Sequence, residues 1–211
     1  MTKVKICGIT NLEDALEAIY AGADMLGFNF YSKSPRYISK EKCLEITSAI
    51  SRFSAQVAFV GVFVNTDPVA IESTLRDCKL QMAQLHGDEH VEDLIHLKST
   101  GYKAFRGTPT AQFLQYYSTV RIGTKPRFLI DSSTPEIYGG SGKTANWQDS
   151  AEIARKYEVL LAGGLNPANV LDAIQIVKPW GVDVASGVEL NPRKKDISKL
   201  RSFIEIVKLN S

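Results

Sequence analysis

The sequence predicts an α/β fold in one domain, a (β/α)8 TIM barrel, and three observations carry that reading. Short apolar runs rich in Val, Ile and Phe recur eight times along the 211 residues, and amphipathic stretches opened by helix-capping residues separate them. The mean repeat is about 26 residues, long enough for each helix to cross back beside a parallel neighbour. A barrel of this length is ordinary for one domain.

The first run, KVKICGI, alternates so that Lys3, Lys5 and Cys7 share one face and Val4 and Ile6 the other. If Val4 and Ile6 meet the helices, Lys5 and Cys7 point into the barrel. Asn11 caps the helix LEDALEAI. MLGFNF is the second strand, ending at Asn29; the loop after it carries Arg36, and Ser39 caps KEKCLEI. QVAFVGVFV is the third strand, MAQLHG the fourth with His86 at its end, and KAFRGT the fifth, from which Arg106 emerges inward at a depth that demands a partner. In RFLIDSS, the sixth, Arg127, Leu129 and Asp131 share the inward face. The longest irregular stretch, residues 134–146, comes next, followed by Trp147 as a core residue. VLLAGG is the seventh strand, with Asn166 and Pro167 capping ANVLDAI, and GVDVASG is the eighth. Active sites of such barrels lie on the face made by the loops after the strands. Cys7, His86, Arg106, Asp131, Gly163, Gly164, Ser186 and Gly187 all fall there.

Composition narrows the function classes. Hydrophobic residues make up 44% and charged residues 23%, and no segment is apolar enough to span a bilayer. The net charge of +2 is spread along the chain, which argues against a nucleic-acid partner and against a membrane partner while leaving a small anionic substrate compatible. Cys7, Cys43 and Cys78 are widely spaced, with no CxxC pair or histidine cluster, so free thiols and no metal site are expected. The N-terminal MTKVKICGIT runs straight into a strand without a signal-peptide core, which points to cytoplasmic residence.

Several residues suit proton transfer and anion binding, each with a plainer role beside it. A lysine beneath Cys7 favours the thiolate, whereas burial opposes it; alternatively Lys5 pairs with Asp183 and Cys7 only packs. Asp131 at the rim suits a general acid if its surroundings raise its pKa, or else caps a turn. The turns AGGLNPAN and ASGVELNP follow strands seven and eight, where barrels bind phosphate through backbone N–H groups. Arg36 can grip a carboxylate with two prongs or stay solvated, and Arg106 can hold substrate or Asp131. His86 reads as a hydrogen-bonded rim residue. YGGSGKTANW lacks the GxxxxGK[ST] spacing of a nucleotide loop; it can fold over a ligand or form a surface turn.

KICGIT, FNFYSKSPRYI, VGVFVN, QLHGDE, LIDSS with YGGSGKT, LAGGLNPANV and DVASGVE, in that order and spacing, resemble the phosphoribosylanthranilate isomerase family across nearly the whole chain. The resemblance implies a cofactor-free Amadori rearrangement of N-(5-phosphoribosyl)anthranilate in tryptophan biosynthesis. It further implies Cys7 as general base and Asp131 as general acid, Arg36 on the anthranilate carboxylate, and Gly163, Gly164, Ser186 and Gly187 on the phosphate. The expected partner is therefore a phosphorylated small molecule, with a monomer as default and a homodimer as the alternative. Other sugar-phosphate barrel enzymes and a non-catalytic phosphate sensor are the competing readings.

Overall fold

The structure is a computed structural model and describes residues 1–52, 56–97, 100–119, 125–132 and 147–210. The irregular stretch at 134–146 lies outside the described residues. Among the described residues the order is β1 (Lys3–Cys7), α1 (Leu12–Ala21), β2 (Met25–Asn29), α2 (Lys40–Ile50), β3 (Ala58–Phe63), α3 (Pro68–Asp77), β4 (Met82–Leu85), α4 (Val91–His96), β5 (Gly101–Arg106), α5 (Ala111–Thr119), β6 (Phe128–Asp131), α6 (Trp147–Ala154), β7 (Val159–Ala162), α7 (Val170–Val177) and β8 (Gly181–Val184). A 3-10 turn (Ser186–Val188), a hairpin of β9 (Glu189–Asn191) and β10 (Lys194–Lys195), and α8 (Ile197–Leu209) complete the chain. Strands β1 to β8 pair in sequence order, and β8 returns beside β1 to close the barrel. The hairpin is an addition that the apolar runs do not signal, because ELNPRKK is almost wholly polar.

Strand alternation divides the core in two. Val4, Ile6, Leu26, Phe28, Phe128, Leu161 and Val182 face the helices, whereas Met25, Val60, Tyr102, Leu129 and Leu160 form a separate cluster inside the barrel. Lys5 and Cys7 thus take the inward side, as the alternation predicts. In α8 the residues Leu200, Phe203, Ile204 and Val207 repeat at helical spacing and are fully buried against the barrel wall. Trp147 is buried in the outer core.

The predicted caps of the first two helices form: Asn11 accepts a hydrogen bond from Asp14 N and Ser39 from Lys42 N. At the third, regular α7 begins at Val170, and the turn leading into it opens at the predicted Asn166. Asn166 accepts from Ala168 N at 2.8 Å while Asn169 accepts from Asn166 N at 2.8 Å, a reciprocal cap that leads into the helix. No helix among the described residues is long and apolar enough to cross a membrane.

Candidate active site

At the C-terminal end of the strands lies a cavity of about 720 Å³, within the range of small-molecule sites. Its lining includes Cys7 from β1, Arg36 from the loop after β2, His86 after β4, Arg106 from β5 and Asp131 from β6. Gly163 and Gly164 after β7 and Ser186 and Gly187 after β8 line it too, so the nine residues proposed from the sequence for catalysis or substrate binding reach one space.

Cys7 sits half-buried at the end of β1. Below it Lys5 is fully buried, donating to Gln84 Oε1 at 2.7 Å and to Asp183 Oδ1 at 3.2 Å. Burial works against the charge on Lys5, but Asp183, together with Cys7 and Tyr102, offsets it and holds the ammonium above the usual lysine range. Desolvation likewise raises the pKa of the Cys7 thiol; Lys5 opposes that rise, and Asp183 adds to it. Lys5 is thus paired with Asp183, and burial outweighs its pull on the thiol.

Gln84 also fixes the state of His86. Its Oε1 accepts from Lys5 and, at 2.9 Å, from the Tyr102 hydroxyl, so its amide nitrogen is the group 2.7 Å from His86 Nδ1. A donor facing Nδ1 places the proton of the neutral ring on Nε2. Desolvation lowers the His86 pKa, against the pull of Asp131, and this favours the neutral ring. Arg106 pairs in register with Asp131 across β5 and β6, but its side chain is exposed at the cavity mouth. The expected depth is therefore corrected: the last residue of β5 has cleared the barrel wall, and its charge is exposed.

Arg36 is held by a compact loop. Asn29 accepts from Tyr31 N and donates to Ser34 Oγ, which accepts from Arg36 N, so the loop closes on itself. The two-pronged pair expected of Arg36 forms within the chain, with Nε and Nη2 donating to Glu189 at 2.8 and 2.6 Å. One edge of the guanidinium is thereby taken, leaving both Nη1 hydrogens and one on Nη2 for a second carboxylate. Burial opposes charge on Glu189, but Arg36 and Lys195 outweigh it and hold its carboxyl below the usual range.

The two glycine turns meet backbone to backbone. Gly163 and Gly164 take φ of 99° and 66°, in the left-handed region that favours glycine. A Cβ on Gly187 would overlap the Leu165 carbonyl, so that glycine is required by the approach of the β8 turn to the β7 turn. Among the described residues no group of three His, Cys, Asp or Glu side chains is arranged to hold a metal ion.

Residues 4–206 match the family model of N-(5'-phosphoribosyl)anthranilate (PRA) isomerase. The chain belongs to the phosphoribosylanthranilate isomerase family. It is an isomerase of tryptophan biosynthesis. An N-(5'-phosphoribosyl)anthranilate isomerase from Geotalea uraniireducens is 46% identical over 209 residues, covering 99% of each chain. The crystal structure of phosphoribosyl anthranilate isomerase from Thermotoga maritima superposes with a TM-score of 0.84 at 42% identity, again covering 99% of each chain. Another solved member, 36% identical with a TM-score of 0.81 and 99% coverage of both chains, is in complex with reduced 1-(o-carboxyphenylamino)-1-deoxyribulose 5-phosphate.

For a phosphoribosylanthranilate isomerase site, sequence reasoning passes over Gln84, Glu189, Lys195 and Gly27. Gln84 and Glu189 stand inside the motifs QLHGDE and DVASGVE, where a polar side chain flanked by apolar or small residues is the available signal. Lys195 is hidden in RKKD, which reads as a solvated charge run, yet its side chain is fully buried. Gly27 is silent in sequence. A Cβ there would come within 2.8 Å of Cys7 Sγ, so its missing side chain makes the room the thiol occupies.

Proposed function

We propose that the protein converts N-(5'-phosphoribosyl)anthranilate into 1-(2-carboxyphenylamino)-1-deoxyribulose 5-phosphate, with Asp131 as general acid and Cys7 as general base. The observation that carries this reading is the placement of the two groups. They end β6 and β1, which are separated on the short way round the barrel by β7 and β8, and both line the same cavity. An acid and a base so placed can work from different sides of one bound sugar.

Asp131 protonates the furanose ring oxygen, the C1'–O bond breaks, and the anilino nitrogen forms an iminium with C1'. That positive charge acidifies the C2' hydrogen, which the Cys7 thiolate removes; the electron pair forms the C1'–C2' double bond and neutralises nitrogen. Tautomerisation of the resulting enolamine gives the ketone. The turns at Gly163–Gly164 and Ser186–Gly187 hold the phosphate, the open edge of Arg36 takes the anthranilate carboxylate, and the exposed cation of Arg106 draws the anionic substrate to the mouth. His86, donating through Nε2, binds a substrate oxygen.

Loss of phosphoribosylanthranilate fluorescence with purified protein, without metal or nucleotide, tests the activity. Cys7→Ser and Asp131→Asn are each expected to lower kcat by about 10²–10⁴-fold with little change in KM, because each removes a proton-transfer group. Near-normal turnover in either variant would overturn the role of that residue.

A further inference from the structure

Lys195 takes no part in the proton transfers above, yet it joins three parts of the site. Its side chain is fully buried, and Nζ donates to the Cys7 carbonyl at 2.7 Å, to the Ala185 carbonyl at 3.1 Å and to Glu189 Oε1 at 3.2 Å. Three acceptors satisfy the three N–H groups of an ammonium, whereas a neutral amine would turn its lone pair on one of them. The ladder between β1 and β8 runs from Lys3 opposite Gly181 to Ile6 opposite Val184. Cys7 and Ala185 are the next residues on each strand, so the ammonium bridges the first step past the end of the ladder. Beyond Ala185 comes the Ser186–Gly187 turn, and the third acceptor, Glu189, is the carboxylate that grips Arg36.

We propose that Lys195 is a positioning residue that holds the base, the phosphate turn and the carboxylate-binding arginine in one register. The assignment rests on the functional reading above. Neutralising Glu189 does not by itself require this lysine, since Arg36 already meets that carboxylate with two hydrogen bonds. What Lys195 adds is the link to the two carbonyls. Its anchorage is separate from this link: Lys195 N donates to Asp14 Oδ2 at 2.9 Å, and the neighbouring Lys194 Nζ reaches Glu13 at 2.7 Å, both on α1. Removing the ammonium and loosening the hairpin are therefore different perturbations.

Lys195→Met tests the first and Lys194→Ala the second. In Lys195→Met, KM and the dissociation constant for inorganic phosphate are each expected to rise about tenfold or more as the binding groups lose register. The pH profile for iodoacetamide alkylation of Cys7, read on the Cys7 peptide by mass spectrometry, should move to higher pH because a nearby cation is gone. Lys194→Ala should lower Tm slightly and leave all three readouts at wild-type values. Lys195→Gln, which keeps a neutral donor in place, covers failure of the methionine variant to fold and should show the same raised KM and alkylation shift. If Tm falls while KM, phosphate affinity and alkylation all stay within about twofold of wild type, Lys195 is only a strut and the proposal is overturned. Full turnover by Cys7→Ser would instead overturn the functional reading, and the phosphate and alkylation measurements would still decide the role of Lys195.

Discussion

Gly27 shows how one residue controls the room around the Cys7 thiol. It lies opposite Cys7 in the β1–β2 register, and a Cβ would approach Cys7 Sγ to 2.8 Å, Lys5 Cε to 3.1 Å and the Cys7 Cα to 3.2 Å. The strand backbone has no room to yield, so the thiol must move. Gly27→Ala is expected to cost about 1–3 kcal/mol of stability from overpacking. It should also reduce kcat more than KM, because the proposed base is displaced while Arg36 and the turns proposed to hold phosphate lie elsewhere on the rim. Equal changes in kcat and KM relative to wild type, or wild-type kcat, would show that thiol placement is not limited by this contact. The placement of Cys7 and Asp131 at strand ends was legible in the sequence, and their proposed roles came only through the family resemblance; the space that Gly27 leaves was not legible at all. A missing side chain carries no signal until its neighbours across the sheet are known.

At the scale of elements, legibility followed periodicity. The eight barrel strands stand out because both faces are buried, one by helices and the other by the barrel interior. The β9–β10 hairpin was invisible because its buried residues are both charged, Glu189 and Lys195, and the lysine is buried by virtue of acceptors on Cys7, Ala185 and Glu189. The cap before α7 was legible as an asparagine followed by Pro167, whereas the return bond from Asn166 N to the Asn169 side chain was not. The start of α1 is capped by one asparagine. Asn11 accepts from Asp14 N at 2.8 Å, and its amide donates to Asp14 Oδ2, the oxygen that also receives Lys195 N. Asn11→Ala should therefore destabilise the protein by about 1 kcal/mol, the usual cost of losing an N-cap, as read by urea unfolding. KM should be unchanged, because the remaining Asp14 contact still anchors the hairpin. A raised KM would mean that the cap itself transmits order to the rim.

For the whole molecule, the barrel interior sets how charge and stability are coupled. Tyr102, Leu129 and Leu160 belong to the apolar filling of the barrel, and Lys5, Gln84 and Asp183 are buried within the same wall of strands, with Cys7 and the cavity at their open ends. Lys5 and Asp183 face each other in register across the β1–β8 seam that closes the barrel, so their pair lies at the junction on which closure depends. Removing one partner leaves a carboxylate with its cation gone. Lys5→Met should cost about 3–5 kcal/mol in urea unfolding, whereas Lys5→Met with Asp183→Leu should recover most of that loss, since an apolar pair avoids the desolvation penalty. Gln84 Oε1 keeps the Tyr102 hydroxyl as a donor in both variants. The Cys7 thiol reports the same pair independently: Lys5 lowers its pKa and Asp183 raises it. The alkylation profile of Cys7 should move to higher pH in the single variant and return toward wild type in the double. A double variant as unstable as the single, with its thiol still shifted, would show that Lys5 supports the barrel through Gln84 and packing rather than through Asp183.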